Sequence, residues 1–173
     1  MHTAILGMKI IAQKYPNTLL VLVGPANYDV RLYLQNLIEE HQLENFVVIK
    51  EKEPFKNVIN IMKSSQLNII PHISNEQTES AMPHKFFQIL LSGKPLLVSD
   101  CAPMKRIVEE KGIGTYFEAE NPKSFADKVV NIQKEYQIAL EKAKKGNEEA
   151  LKGKLNWEFT SKELIALYDR LSN

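Results

Sequence analysis

Leu19-Leu20-Val21-Leu22-Val23, closed by Gly24-Pro25, is an apolar run without alternation. A strand covered on both faces reads this way, whereas a half-solvated strand alternates apolar and polar residues. Three further runs share the form. Phe46-Val47-Val48-Ile49 runs into a charged loop, Leu67-Asn68-Ile69-Ile70 stops at Pro71, and Leu96-Leu97-Val98 stops at Ser99-Asp100. Gly112-Ile113-Gly114-Thr115-Tyr116-Phe117 is a weaker fifth. Amphipathic segments separate them. Residues 28–42 carry Val30, Leu34, Leu37, Ile38 and His41 at helical spacing, residues 55–64 carry Val58, Ile61 and Met62, and residues 83–92 and 103–111 follow the same pattern. Strand–helix alternation with short connections calls for parallel strands and right-handed crossovers. The expected fold is α/β, a doubly wound, Rossmann-like parallel sheet.

Beyond the fifth run, Asn121 suits a helix N-cap and Pro122 the first helical position. Phe125, Val129, Ile132, Tyr136, Ala139 and Ala143 then recur at spacings of four and three. They predict one long helix with an apolar stripe, loosened by Gly146 and Gly153. A last segment, Trp157 to Leu171, reads as a separate helix bearing Leu164, Leu167 and Tyr168. The chain shows no internal repeat, low-complexity tract or interdomain linker, so residues 1–173 are expected to form one domain.

The 173 residues are 44% apolar and 25% charged, the composition of a chain that buries a core. Lys and Arg number 22 against 21 Asp and Glu, a net charge of +1. No global field draws this chain to nucleic acid or to an anionic membrane, so anion binding has to be local. Cys101 is the lone cysteine, which excludes an intrachain disulfide and a cysteine-built metal site. No apolar run approaches the roughly 18 residues of a membrane span. The first residues lack the basic start and apolar stretch of a signal peptide. A cytoplasmic location is expected. The chain opens inside a helical pattern, and a piece of a longer protein is expected.

In an open parallel sheet, ligands bind beyond the carboxyl ends of the strands. The loops there are Gly24–Tyr28, Lys50–Pro54, Pro71–Met82, Asp100–Pro103 and Glu118–Asn121. Pro71–Met82 is twelve residues long, more than such connections usually need. It leads into Pro83-His84-Lys85-Phe86-Phe87-Gln88, where Pro83 suits a helix start and Gly93 its end. His84 and Lys85 then fall in the first turn, and Gln88 one turn on shares their face. Phe86, Phe87, Leu90 and Leu91 would form the buried stripe. The unpaired amides and partial positive charge of a helix amino terminus, with Lys85 beside them, make a candidate phosphate cradle. Each residue also has an ordinary reading. Lys85 and His84 fit a solvated surface, Gln88 and His72 fit structural roles, and Cys101 fits an inert small residue.

The stretch Asn75-Glu76-Gln77-Thr78-Glu79-Ser80-Ala81-Met82-Pro83-His84-Lys85-Phe86-Phe87-Gln88, then Gly93-Lys94-Pro95-Leu96-Leu97-Val98, resembles the donor-binding half of family 4 retaining glycosyltransferases of the glycosyltransferase-B (GT-B) fold. Val21-Leu22-Val23-Gly24, Arg106-Ile107-Val108-Glu109 with Gly112-Ile113-Gly114, and the segment Trp157 to Leu171 are similar to further blocks of that family, in the same order. Lys85 matches the lysine of a Pro-x-Lys subset. In the family two glutamates stand eight positions apart, the first at the donor sugar and the second at the ribose. Here those places hold Ser80 and Gln88, with Glu79 adjacent to the first. The family's donor half opens with a strand ending in Gly-Arg, which nothing before His2 supplies. The resemblance therefore implies a carboxy-terminal fragment without its amino-terminal acceptor domain.

It also implies transfer of a sugar from a UDP- or GDP-linked donor to an acceptor, with retention at the anomeric carbon. The nucleotide sugar is substrate, and no further cofactor is expected. No metal is expected either, since no Asp-x-Asp occurs. The implied donor-binding set is Lys85, Gln88, Glu79, Ser80, His84 and Met82, with Lys50 and Glu51 near the base and ribose; no catalytic residue is named. Surface polysaccharide assembly is the family-level expectation, with association to the inner membrane face through the missing half. Two other readings stand beside this one. The chain could be a degenerate half that scaffolds a partner subunit, or half of a sugar-nucleotide epimerase.

Overall fold

All five runs form strands, each parallel to its neighbour, in a computed structural model that describes residues 1–171. In chain order the elements are α1 (His2–Lys14), β1 (Leu20–Val23), α2 (Tyr28–Glu40), β2 (Val47–Lys50), α3 (Phe55–Ser64), β3 (Asn68–Ile70), α4 (Glu76–Ser80), α5 (His84–Ser92), β4 (Leu96–Ser99), α6 (Ala102–Lys111), β5 (Thr115–Phe117), α7 (Pro122–Lys134), α8 (Tyr136–Leu151) and α9 (Trp157–Leu171). The α/β Rossmann-like arrangement is as the sequence predicts.

The sheet is not continuous. β1 pairs with β2, in register Leu20 to Val47, and β3–β4–β5 form a second ladder with β4 in the middle. What joins the two ladders is packing. One core contains Ile5, Met8 and Ile11 of α1, Leu34 and Ile38 of α2, and Phe125 of α7, against Leu22, Val47, Leu97 and Phe117 of the strands. A second core on the other side gathers Phe86, Ile89 and Leu90 of α5 and Met104 and Val108 of α6 around Ile70, Leu96 and Val98. β4, between the two cores, is buried at every residue, and this is why it reads as an unbroken apolar run.

α1 buries Ala4, Ile5, Met8 and Ile11 and crosses α7 at Gly7. A Cβ at Gly7 would stand 2.4 Å from Cδ1 of Phe125 and 3.1 Å from the Pro122 carbonyl oxygen. Only glycine allows that approach. The Phe125 ring meets Phe117 edge to face, with centroids 5.2 Å apart.

The predicted long helix is two helices. The chain leaves helical geometry at Glu135 (φ −113°, ψ 41°), whose amide closes α7 on the Asn131 carbonyl at 3.0 Å. α7 packs on α1 and α8 packs on α5, and one straight helix cannot reach both. Tyr136 marks the corner, donating its hydroxyl to the Gln66 carbonyl at 3.0 Å. Gly146 does not loosen α8. It is buried, with Leu90 Cδ2 2.9 Å from where a Cβ would sit. α9 buries no residue, and Trp157 is 71% exposed. No helix among the described residues is long and apolar enough to cross a membrane.

Candidate functional site

The carboxyl end of β3 opens the site. Pro71 is buried, and the segment that follows, expected as a long loop, contains the short helix α4. A reciprocal cap starts it, with the Thr78 amide donating to Asn75 Oδ1 and the Asn75 amide to Thr78 Oγ1, both at 3.0 Å. Glu79 then ties α4 down. Its carboxylate accepts from the Ser74 hydroxyl at 2.6 Å and from the Ala102 amide, the first of α6, at 2.9 Å. Those two donors, the hydroxyl foremost, hold its carboxyl below the ordinary glutamate range. The charge of Glu79 thus serves the amino terminus of α6.

α5 starts one residue later than expected, with Pro83 as the cap residue and His84 first in the helix. No side chain caps this end. The other end closes on Gly93 in the left-handed conformation (φ 69°), as its position predicts. The buried stripe is Phe86, Ile89 and Leu90, while Phe87 is half-buried and Leu91, expected inside, is 47% exposed. α5 is covered by α8, by α3 and by β3, and Leu91 is not among the residues that this packing buries.

His84 and Lys85 are exposed in the first turn, and Gln88 is half-buried one turn on. No carboxylate among the described residues pairs with Lys85. Its charge acts on His72, just past β3. Burial first, then Lys85 and the amino group of Met1, push the His72 pKa below its ordinary value. Nδ1 of His72 is buried and has no hydrogen-bond partner. A lysine without a counter-ion, an orphaned imidazole nitrogen and an uncapped helix start therefore meet at the mouth of the sheet. Such a place is short of negative charge.

Glu79, Ser80 and Met82 line a separate groove of about 450 Å³, together with Phe87, Arg106 and Ile107. Phe87 and Arg106 are additions that sequence reasoning missed as site residues; Arg106 lies one turn into α6, where its spacing marks only a polar face. Lys50 and Glu51 lie at the end of β2 and do not line that groove. Lys50 is exposed, and Glu51 is ion-paired with Arg31 of α2. Among the described residues no cluster of three or more His, Cys, Asp or Glu side chains could hold a metal ion. Cys101 is buried, its Sγ 3.4 Å from the Ser99 hydroxyl oxygen.

The sequence model of the family described as "Glycosyl transferases group 1" matches residues 1–152. The chain belongs to that family. No curated protein sequence matches it. Solved structures similar to this glycosyltransferase-family domain include sucrose-phosphate synthase from Thermosynechococcus elongatus, at TM-score 0.82 and 16% identity over 98% of this chain and 42% of that one. HepE of Anabaena in complex with UDP is similar at TM-score 0.82 and 16% identity, over 100% of this chain and 45% of that one. The C-terminal domain of a group 1 glycosyl transferase, LpcC, from Francisella tularensis, is similar at TM-score 0.75 and 12% identity, over 90% of this chain and 79% of that one. The fold matches half-domains of GT-B glycosyltransferases. The chain spans less than half the length of the synthase and of HepE.

Within this group 1 domain, the carboxyl edge of the sheet therefore carries two distinct surfaces. One is cationic, at α5, and the other is an amphipathic groove between α4, α5 and α6 in which Glu79 is already engaged.

Proposed function

We propose that this chain is the donor-binding half of a glycosyltransferase that moves a sugar from a nucleoside diphosphate sugar to an acceptor with retention of configuration. One observation carries the reading: Lys85, unpaired by any carboxylate of the described residues, and the orphaned Nδ1 of His72 lie at the uncapped start of α5. A diphosphate laid there would accept from first-turn amides and from Lys85. As the bond from the anomeric carbon to the leaving phosphate breaks, negative charge grows on that phosphate. The fixed dipoles of the first-turn amides, with the Lys85 charge beside them, would stabilise that developing charge. Gln88, one turn along, would offer a hydrogen bond to a ribose hydroxyl. Ser80 and Met82, in the neighbouring groove, would border the sugar. The acceptor site would come from a partner domain. The complexes of HepE with UDP and with UDP-glucose make uridine nucleotides the first to test.

The test is titration of this chain with UDP, GDP and their sugars, in the wild type and in Lys85→Ala. Binding near millimolar or tighter, weakened about tenfold or more by loss of the charged contact, is the expected result. Unchanged affinity in the variant removes Lys85 from the site. A second reading is favoured by one feature: Ser80 and Gln88 stand at the family's two glutamate positions, and the adjacent Glu79 is spent on Ser74 and Ala102. A domain so altered would support a partner without catalysing transfer, and silence across the nucleotide set would favour that role.

A further inference from the structure

The amino end of α5 is left open, while its carboxyl end is held by another helix. Asn147 of α8 donates Nδ2 to the Leu90 carbonyl at 3.0 Å and to the Leu91 carbonyl at 3.2 Å. Leu90 also accepts from the Gly93 amide at 3.1 Å, and Ile89 accepts from the Ser92 hydroxyl at 2.6 Å. Three of the last four carbonyls of α5 are thus satisfied. A helix end normally leaves these groups to water or to its own cap. Here two of the bonds come from a side chain more than fifty positions away in sequence. The residue before it, Gly146, lets α8 come close enough for that reach, since a Cβ there would meet Leu90 Cδ2 at 2.9 Å.

α5 has nine residues and is therefore about 13 Å long. A rod this short, gripped at one end, transmits a small rotation there directly to the other. At the other end Phe86 is packed in the second core, but no side chain caps the first-turn amides, so their direction follows the seating of the helix. We propose that Asn147 is a positioning residue for the diphosphate site. It sets the height and rotation of α5 through the Leu90 and Leu91 carbonyls, and so sets where the first-turn amides and Lys85 point. Its amide hydrogens also place partial positive charge against the negative end of the helix dipole, complementing an anion bound at the opposite end. This inference rests on the reading above.

The experiment uses the full chain with Asn147→Ala and Asn147→His, each titrated with UDP and UMP beside a thermal melt. Histidine can place one ring N–H where the amide N–H stood, so it restores one of the two bonds. The terminal phosphate of UDP is the group nearest α5 in this reading, and UMP lacks it. UDP affinity should fall about three- to tenfold in Asn147→Ala while UMP affinity changes less than about twofold, with Asn147→His between wild type and Asn147→Ala. A purely structural role lowers the melting temperature and leaves the ratio of UDP to UMP affinity where it was. That outcome, in whichever variant folds, overturns the proposal. If wild type binds UDP through Lys85 and the ratio stays constant in the Asn147 variants, only the positioning role falls. If wild type binds no UDP, the nucleotide site and the positioning role fall together.

Discussion

Gly7 shows how much one hydrogen atom decides. It sits in the middle of α1, where alanine would favour the helix by up to about 1 kcal/mol. Yet its Cβ would land 2.4 Å from Phe125, whose ring is 2% exposed and wedged against Phe117, and 3.1 Å from a backbone carbonyl. Neither neighbour can move away without opening the core. Gly7→Ala should therefore lose about 1–3 kcal/mol net, read as an earlier urea midpoint. The same logic explains why Gly146, which breaks the helical propensity of its segment on paper, belongs inside α8: the small residue is needed where two helices touch.

At the level of elements, the long connection after β3 is organised by one carboxylate. Glu79 receives a hydroxyl from its own segment and an amide from α6, so the segment 73–82 and α6 are pinned together. In Glu79→Gln one of these donors faces an amide NH₂ instead of an oxygen. Amide hydrogen exchange at residues 73–82 and at Ala102 should accelerate, while exchange in β4 stays unchanged. The pH dependence has a definite sign. A carboxyl held below its ordinary range stabilises the folded chain above that range, and the stabilisation is lost as pH falls through the lowered value. The tie is therefore intact at neutral pH and fails only in acid. The break at Glu135 belongs to this scale too. The stripe Phe125, Val129, Ile132, Tyr136, Ala139, Ala143 does continue across it, but its first part serves α1 and its last part α5.

Across the whole molecule, the start of α1, the end of β3 and the start of α5 converge, and His72 reports on their convergence. Burial, Lys85 and the Met1 amino group favour the neutral imidazole in the folded chain. Unfolded, His72 titrates near 6.5. Between the two values the unfolded chain holds more protons, so stability is full above about pH 6.5 and declines as pH drops through the folded value. Urea midpoints measured from pH 7.5 to pH 5.5 should fall in wild type and fall less in His72→Asn. A bound diphosphate reverses the local charge and should raise the imidazole pKa, visible as a shift of the His72 ring signals in an NMR titration with UDP. No movement of those signals would place the anion elsewhere.

Local sequence was enough for the strands, for Asn121 and Gly93 as caps, and for the helix that carries His84, Lys85 and Gln88. Those features depend on covered faces, on backbone amides a few residues away, and on the special freedom of glycine, all of which leave short-range marks. Other features left no such mark. The separation of β1–β2 from β3–β4–β5, the corner at Glu135, the duty of Glu79 at α6, the solitude of His72 Nδ1 and the grip of Asn147 on Leu90 and Leu91 all join residues far apart in the chain. A carboxylate or amide looks the same in sequence whether it meets water or a distant backbone group. Only packing brings that partner within 3 Å, and so only the tertiary structure decided which polar residues are committed to the fold and which remain open to a ligand.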